Sequence, residues 1–263
     1  MISQTILAVG SGGVVGLLLG ATGGGGSLIA IPLLVYIVGI PVQHATAMSL
    51  VVVGYSALFG AWSENRYGNV KGLIAFLFSG TGMMGAWLGA QGHRLVQEDV
   101  ILLIFGLLLV SISFWLMWPG NHGHQKNASA ECAQHCSVSC AVKAMTIGMG
   151  VGLLTGFFGI GGGFVIVPVL MFVMGFPVRM AVGTSLLIIA LISIGGIIGH
   201  LDRSHLDIQL TGFVIAGSLL GMLVGTRVAQ KMKEKTLRSN FAMLVGLTGV
   251  FLIMDNGLRL LNQ

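Results

Sequence analysis

Two glycine runs interrupt apolar segments of this 263-residue chain: Gly23, Gly24, Gly25 and Gly26, and later Gly159 with Gly161, Gly162 and Gly163. A glycine inside a helix costs about 1 kcal/mol relative to alanine, so a helix reaching either run should stop and start again. The new start exposes backbone N–H groups without intrahelical partners, at the positive end of the helix dipole, and that arrangement suits an anion. Having no Cβ, glycine also lets a ligand reach the backbone. Hydroxyls accompany the runs: Thr22 and Ser27 at the first, Thr155 before the second, and Ser49, Thr184 and Ser185 further along. All but Thr155 complete the candidate substrate site, although hydroxyls in apolar helices commonly bond their own backbone. The same glycines could instead serve only as small-residue surfaces on which helices pack closely.

A second constellation lies in the polar stretch 119–143, "PGNHGHQKNASAECAQHCSVSCAVK". Cys132, Cys136 and Cys140 recur every four residues with His135 among them, and thiolates and imidazoles are ligands for zinc or Cu(I). The spacing differs from the paired CxxC of zinc modules, and a flexible connector with reduced thiols explains the same residues. The eight acidic residues fall in loops or near segment ends, so no carboxylate for a cation or proton path is evident at membrane depth. No H-E-x-x-H motif occurs and no histidine sits mid-segment, which argues against an intramembrane enzyme. His44, His200, His205 and Arg203 lie at segment ends, where they could meet an anion at the mouth of a path or simply be solvated.

The elements that must position these residues are set by composition. With 55% hydrophobic and 8% charged residues and a mean hydropathy of +0.94, the chain reads as an all-α integral membrane protein. Apolar runs predict about eight long transmembrane helices, and two shorter runs, 28–39 and 164–175, predict half-helices after the glycine breaks. The first run has no Lys or Arg before it, so it is expected to stay rather than be cleaved as a signal peptide. Trp62, Trp87, Trp115 and Trp118 fall near segment ends, as interfacial anchors do.

The chain repeats itself. Shifted by 136 without a gap, residues 16–50 match residues 152–186 at 15 of 35 positions, among them Pro32/Pro168, Gly39/Gly175, Pro41/Pro177 and Ser49/Ser185. Residues 1–118 and 144–263 therefore read as two homologous membrane repeats around the linker. Basic residues collect in cytoplasmic loops, and Lys231, Lys233, Lys235, Arg66, Lys71 and Arg179 share one side only if the copies are inverted; Arg94 then falls outside.

The motifs "GLLTGFFGIGGGFVIVPVL", "GFP" and "AVGTSLL", with their echoes "GLLLGATGGGGSLIAIPLL", "GIP" and "ATAMSL", resemble the twin signatures of the TauE/SafE sulfite exporter family. The resemblance covers nearly everything but the linker and departs from the pattern at Met48, where the second copy has Thr184. It implies a multi-pass bacterial inner-membrane permease for small sulfur-containing anions such as sulfite or sulfonates, and settles neither the substrate nor the direction; export is the expected direction, and no cofactor is expected. A metal-ion carrier using the Cys/His linker is the alternative. The expected partners are the anion, the bilayer and, as a homodimer candidate, a second copy; no basic run suggests nucleic acid.

Overall fold

The structure, a computed structural model, describes residues 2–93, 98–117, 138–158, 163–200, 208–232 and 234–261. Among these residues there is no strand. The helices are α1 Ile2–Thr22, α2 Gly25–Pro32 with a π-helical extension Leu33–Ile37, α3 Val42–Asn65, α4 Gly72–His93, α5 Glu98–Met117, α6 Val138–Phe158, α7 Gly163–Phe172, α8 Val178–His200, α9 Ile208–Lys231 and α10 Glu234–Leu261. Windows in three of them, Thr5–Thr22, Gly72–Gly89 and Gln209–Lys231, are long and apolar enough to cross a membrane. Large apolar side chains such as Leu58, Phe76, Phe114, Leu220 and Phe251 cover the outer surface, a face suited to lipid and not to water. Trp62 and Trp87 are exposed on it, Trp62 beneath the Arg66 guanidinium at 3.9 Å.

The sequence repeat is also a repeat of elements. Adding 136 to the first residues of α1, α3, α4 and α5 (2, 42, 72 and 98) gives those of α6, α8, α9 and α10 (138, 178, 208 and 234). The turns match as well. Gly39 and Gly175 take positive φ, +80° and +67°, which L side chains rarely adopt. The next amide in each copy reaches back six residues: Ile40 N–H donates to Leu34 O at 3.2 Å and Phe176 N–H to Leu170 O at 3.0 Å. Pro41 and Pro177 then precede α3 and α8.

Glycines bring the helices together. A Cβ on Gly16 would collide with the Ser218 backbone of α9, and one on Gly152 of α6 with the Gly82 backbone of α4; these two pairs are equivalent under the shift of 136. Likewise Gly221 meets Gly13, and Gly85 meets Met149. Ascending residues of α1 meet ascending residues of α9, so that pair is parallel, as is α4 with α6. Gly54, Gly60 and Glu64 of α3 instead meet Ser193, Leu186 and Gly183 of α8, so α3 and α8 run antiparallel. The same holds for α5 and α10: Gly106 lies against Gly249 and Ile253, and Ser113 Oγ donates to Ala242 O at 2.7 Å. At the crossing of α3 and α9, Ser56 Oγ and Ser218 Oγ, both fully buried, lie 2.6 Å apart.

The helix breaks as a candidate substrate site

The first break forms because Gly23 takes φ +73° and reverses the chain. Its N–H closes the end of α1 on Leu19 O at 2.7 Å, and α2 then folds back along α1, with Gly26 against Val15 and Leu19. Leu34 and Val38 pack with Ala8 in one apolar cluster, so the two helices form a hairpin. Thr22 caps the new start: its Oγ1 donates to Leu18 O at 2.6 Å and accepts the Gly25 N–H at 2.8 Å. Ser27 Oγ donates to Gly24 O at 2.7 Å.

Two elements of the second half seal this break. Ser185 Oγ, on α8, lies 2.8 Å from Gly23 O and 2.7 Å from Val182 O, so its one proton is shared between two carbonyls. The Gly24 backbone lies against Gly163 and Phe164 at the start of α7, and Ser27 Oγ also lies close to Gly163. Thr22, Gly23, Gly24, Gly25, Gly26, Ser27, Gly163 and Ser185 are therefore brought together, nearly all of them buried. Beside Thr22 lies a small cavity of ≈ 10 Å³, room for about one water molecule, walled by apolar side chains including Leu116, Met171, Val182, Leu237 and Phe241.

Thr184 is buried but turns away from the break, its Oγ1 accepting the Lys71 N–H at 3.2 Å. Ser49 is buried on α3. Gly159, Gly161 and Gly162 lie outside the described residues, as do Cys132, His135 and Cys136. Cys140, in the first turn of α6, is buried and disulfide-bonded. No group of three His, Cys, Asp or Glu side chains comes together among the described residues.

Three polar features were missed from sequence. Glu64, read as a loop acid, is buried at the end of α3 between Asn69 and Gln230. An acid at the edge of an apolar run followed by a glycine turn was the available signal. His44 is half-buried in the first turn of α3, and its Nδ1 is buried without a hydrogen-bond partner. The Ser56–Ser218 pair depends on a contact between halves that residue type alone does not reveal.

A family model for the sulfite exporter TauE/SafE matches residues 8–252. The chain belongs to the TauE/SafE family. A probable membrane transporter protein of Xylella fastidiosa (strain Temecula1) is 32% identical over 257 residues, covering 96% of both chains. The probable membrane transporter protein YdhB of Bacillus subtilis is 28% identical over 246 residues, 91% of this chain and 96% of its own. One from Methanocaldococcus jannaschii is 26% identical over 264 residues, 92% and 93% of the two chains. No solved structure matches. Membership of the TauE/SafE family makes the chain a membrane transporter protein.

Proposed function

We propose that the protein carries a small sulfur-containing anion, such as sulfite or a sulfonate, across the bacterial inner membrane, with export as the working direction. The observation that carries this reading is the meeting of the two half-helix starts: Gly24 lies against Gly163 while Ser185 of the second half holds Gly23 O. An anion leaving water loses hydration worth many kcal/mol and must recover it from fixed donors. Backbone N–H groups of Gly23 to Ser27 and of Gly159 to Gly163 supply such donors, with Ser49 and Ser185 adding hydroxyls. Neutral donors also hold an anion loosely enough to release it. In the described conformation these groups are engaged with each other: Thr22 takes the Gly25 N–H and Ser185 donates to carbonyls. Transport then requires the two hairpins to part and exchange these bonds for the anion.

The architecture that serves this is two membrane repeats, 1–118 and 144–263, inverted about an axis in the membrane plane and joined by the linker 119–143. Reciprocal contacts under the 136-residue shift support it, together with the antiparallel packing of α3 on α8 and α5 on α10. The turn after α3 with Arg66 and Lys71, the start of α8 with Arg179 and the end of α9 with Lys231 gather at one end, which the positive-inside rule makes cytoplasmic. Flux of labelled sulfite, thiosulfate and methanesulfonate into proteoliposomes tests the function. Saturable flux of at least one supports it, and none from correctly inserted protein refutes it.

A further inference from the structure

Glu64 is 4% exposed, and the hydrogen bonds to its carboxylate come from two neutral amides. Asn69 Nδ2 donates to Oε2 at 2.7 Å and Gln230 Nε2 to Oε1 at 3.4 Å. Asn69 belongs to the turn after α3, whereas Gln230 sits in the last turn of α9, so the second bond joins the two halves. The seam continues beside it. The Lys71 N–H donates to Thr184 Oγ1, and Gly183 packs so tightly that a Cβ would come within 2.7 Å of Asn69 O and 3.1 Å of Glu64 Cβ. Two residues beyond Gly183 on α8, Ser185 holds the first helix break.

The cations at this end are committed elsewhere or exposed. Arg66 stacks on Trp62, Arg179 donates to Gln230 O and Met232 O, Arg227 and Lys231 are exposed on α9, and Lys71 is half-buried on the turn. Tyr67 is exposed. None forms an ion pair with Glu64 among the described residues, and the side chains of Lys233, Lys235 and Arg238 lie outside them. A buried carboxylate that meets only neutral amides among the described residues is costly to keep charged, and an ionisable group inside a membrane protein commonly marks an ion or proton path.

We propose that Glu64 is a proton-binding site that couples proton movement to anion movement; this rests on the anion-transport reading above. One proton from water adds to Oε1 and turns the carboxylate into a neutral carboxyl, with no other bond made or broken. Protonated Oε1 faces a donor, Gln230 Nε2, so the charge-assisted bond between the halves is lost or is replaced by a weaker neutral one. Oε2 keeps Asn69. Proton uptake therefore loosens the seam next to the anion site and removes a negative charge that would repel the anion there. Proton and anion then travel in the same direction, and release of the proton restores the clasp.

The test uses the full-length protein in proteoliposomes with thiosulfate and methanesulfonate, anions that stay ionised near neutral pH, and an internal pH indicator. Wild-type flux of either anion should bring protons with it and respond to an imposed pH gradient. Glu64→Gln should keep anion counterflow and lose both proton signals, whereas a purely structural clasp would lose counterflow and coupling together. Proton movement surviving in Glu64→Gln, or anion flux without protons in the wild type, overturns the proposal. If Glu64→Gln fails to insert, Glu64→Asp decides: a displaced pH profile of gradient-driven flux supports the assignment, and one identical to wild type overturns it. Absence of any flux of either anion in the wild type sinks the transport reading, and this inference falls with it.

Discussion

The tightest contact between the two halves at the breaks is the Gly24 backbone on the start of α7, so Gly24→Ala is the most informative small change. Gly24 has φ −170°, an extended backbone open to any residue, and the substitution therefore acts through volume and not through strain. The added Cβ would lie 2.6 Å from Gly163 C and 3.0 Å from Phe164 Cα, and both obstacles are backbone. Neither can swing aside as a side chain tip could; α2 and α7 must separate. Overpacking of this kind costs about 1–3 kcal/mol, which in a chain of this size lowers the melting temperature by about 2–4 °C per kcal/mol. Gly80→Ala is the matched control, since a Cβ on this exposed glycine of α4 meets nothing within 4 Å. It should be neutral or stabilising by up to about 1 kcal/mol. Thermal unfolding in detergent and anion flux in proteoliposomes read out both variants. If Gly24→Ala melts and transports like Gly80→Ala, the hairpins do not meet as described and the reasoning fails.

Other substitutions separate capping, sealing and linker roles. Thr22→Val keeps the shape but leaves the Gly25 N–H uncapped, and should cost about 0.5–2 kcal/mol in thermal unfolding. Ser185→Ala removes the donor shared by Gly23 O and Val182 O, costing about 1–3 kcal/mol; a flux assay should show a smaller loss than Gly25→Val or Gly161→Val. Replacing Cys132, Cys136 and Cys140 together with Ser should leave transport intact, because Cys132 and Cys136 precede the repeated helices and Cys140 sits only in the first turn of α6, away from the helix breaks; abolished flux from folded, inserted protein would show the opposite.

Much of this organisation is readable from the chain. The glycine runs end α1 and begin α2 where propensity says they should, and the 136-residue shift predicts element starts to the residue in four of five pairs. Gly39 and Gly175, at positive φ and each followed two residues on by a proline, end the short helices, and Pro32 leads into the π-helical turn. What residue type could not convey is which partner a hydroxyl finds. Thr184 and Ser185 are neighbours in the same motif, yet they turn to Lys71 and to Gly23 respectively, because adjacent helical positions point about 100° apart. Glu64 was misread for a related reason: its position at a segment end suggested water, whereas packing of α8 and α9 over that end buries it.

The central claim is that glycine backbone at both breaks binds the anion. It is tested most directly by measuring thiosulfate and sulfonate binding and flux for Gly25→Val and Gly161→Val beside the parent. At Gly25 even a Cβ would come within 2.7 Å of Thr22 Oγ1, so the larger side chain must disturb the cap and crowd the amides. Both variants should insert normally and show weakened apparent affinity. If they insert normally and bind and transport like the parent, the glycines serve packing alone and the anion site lies elsewhere.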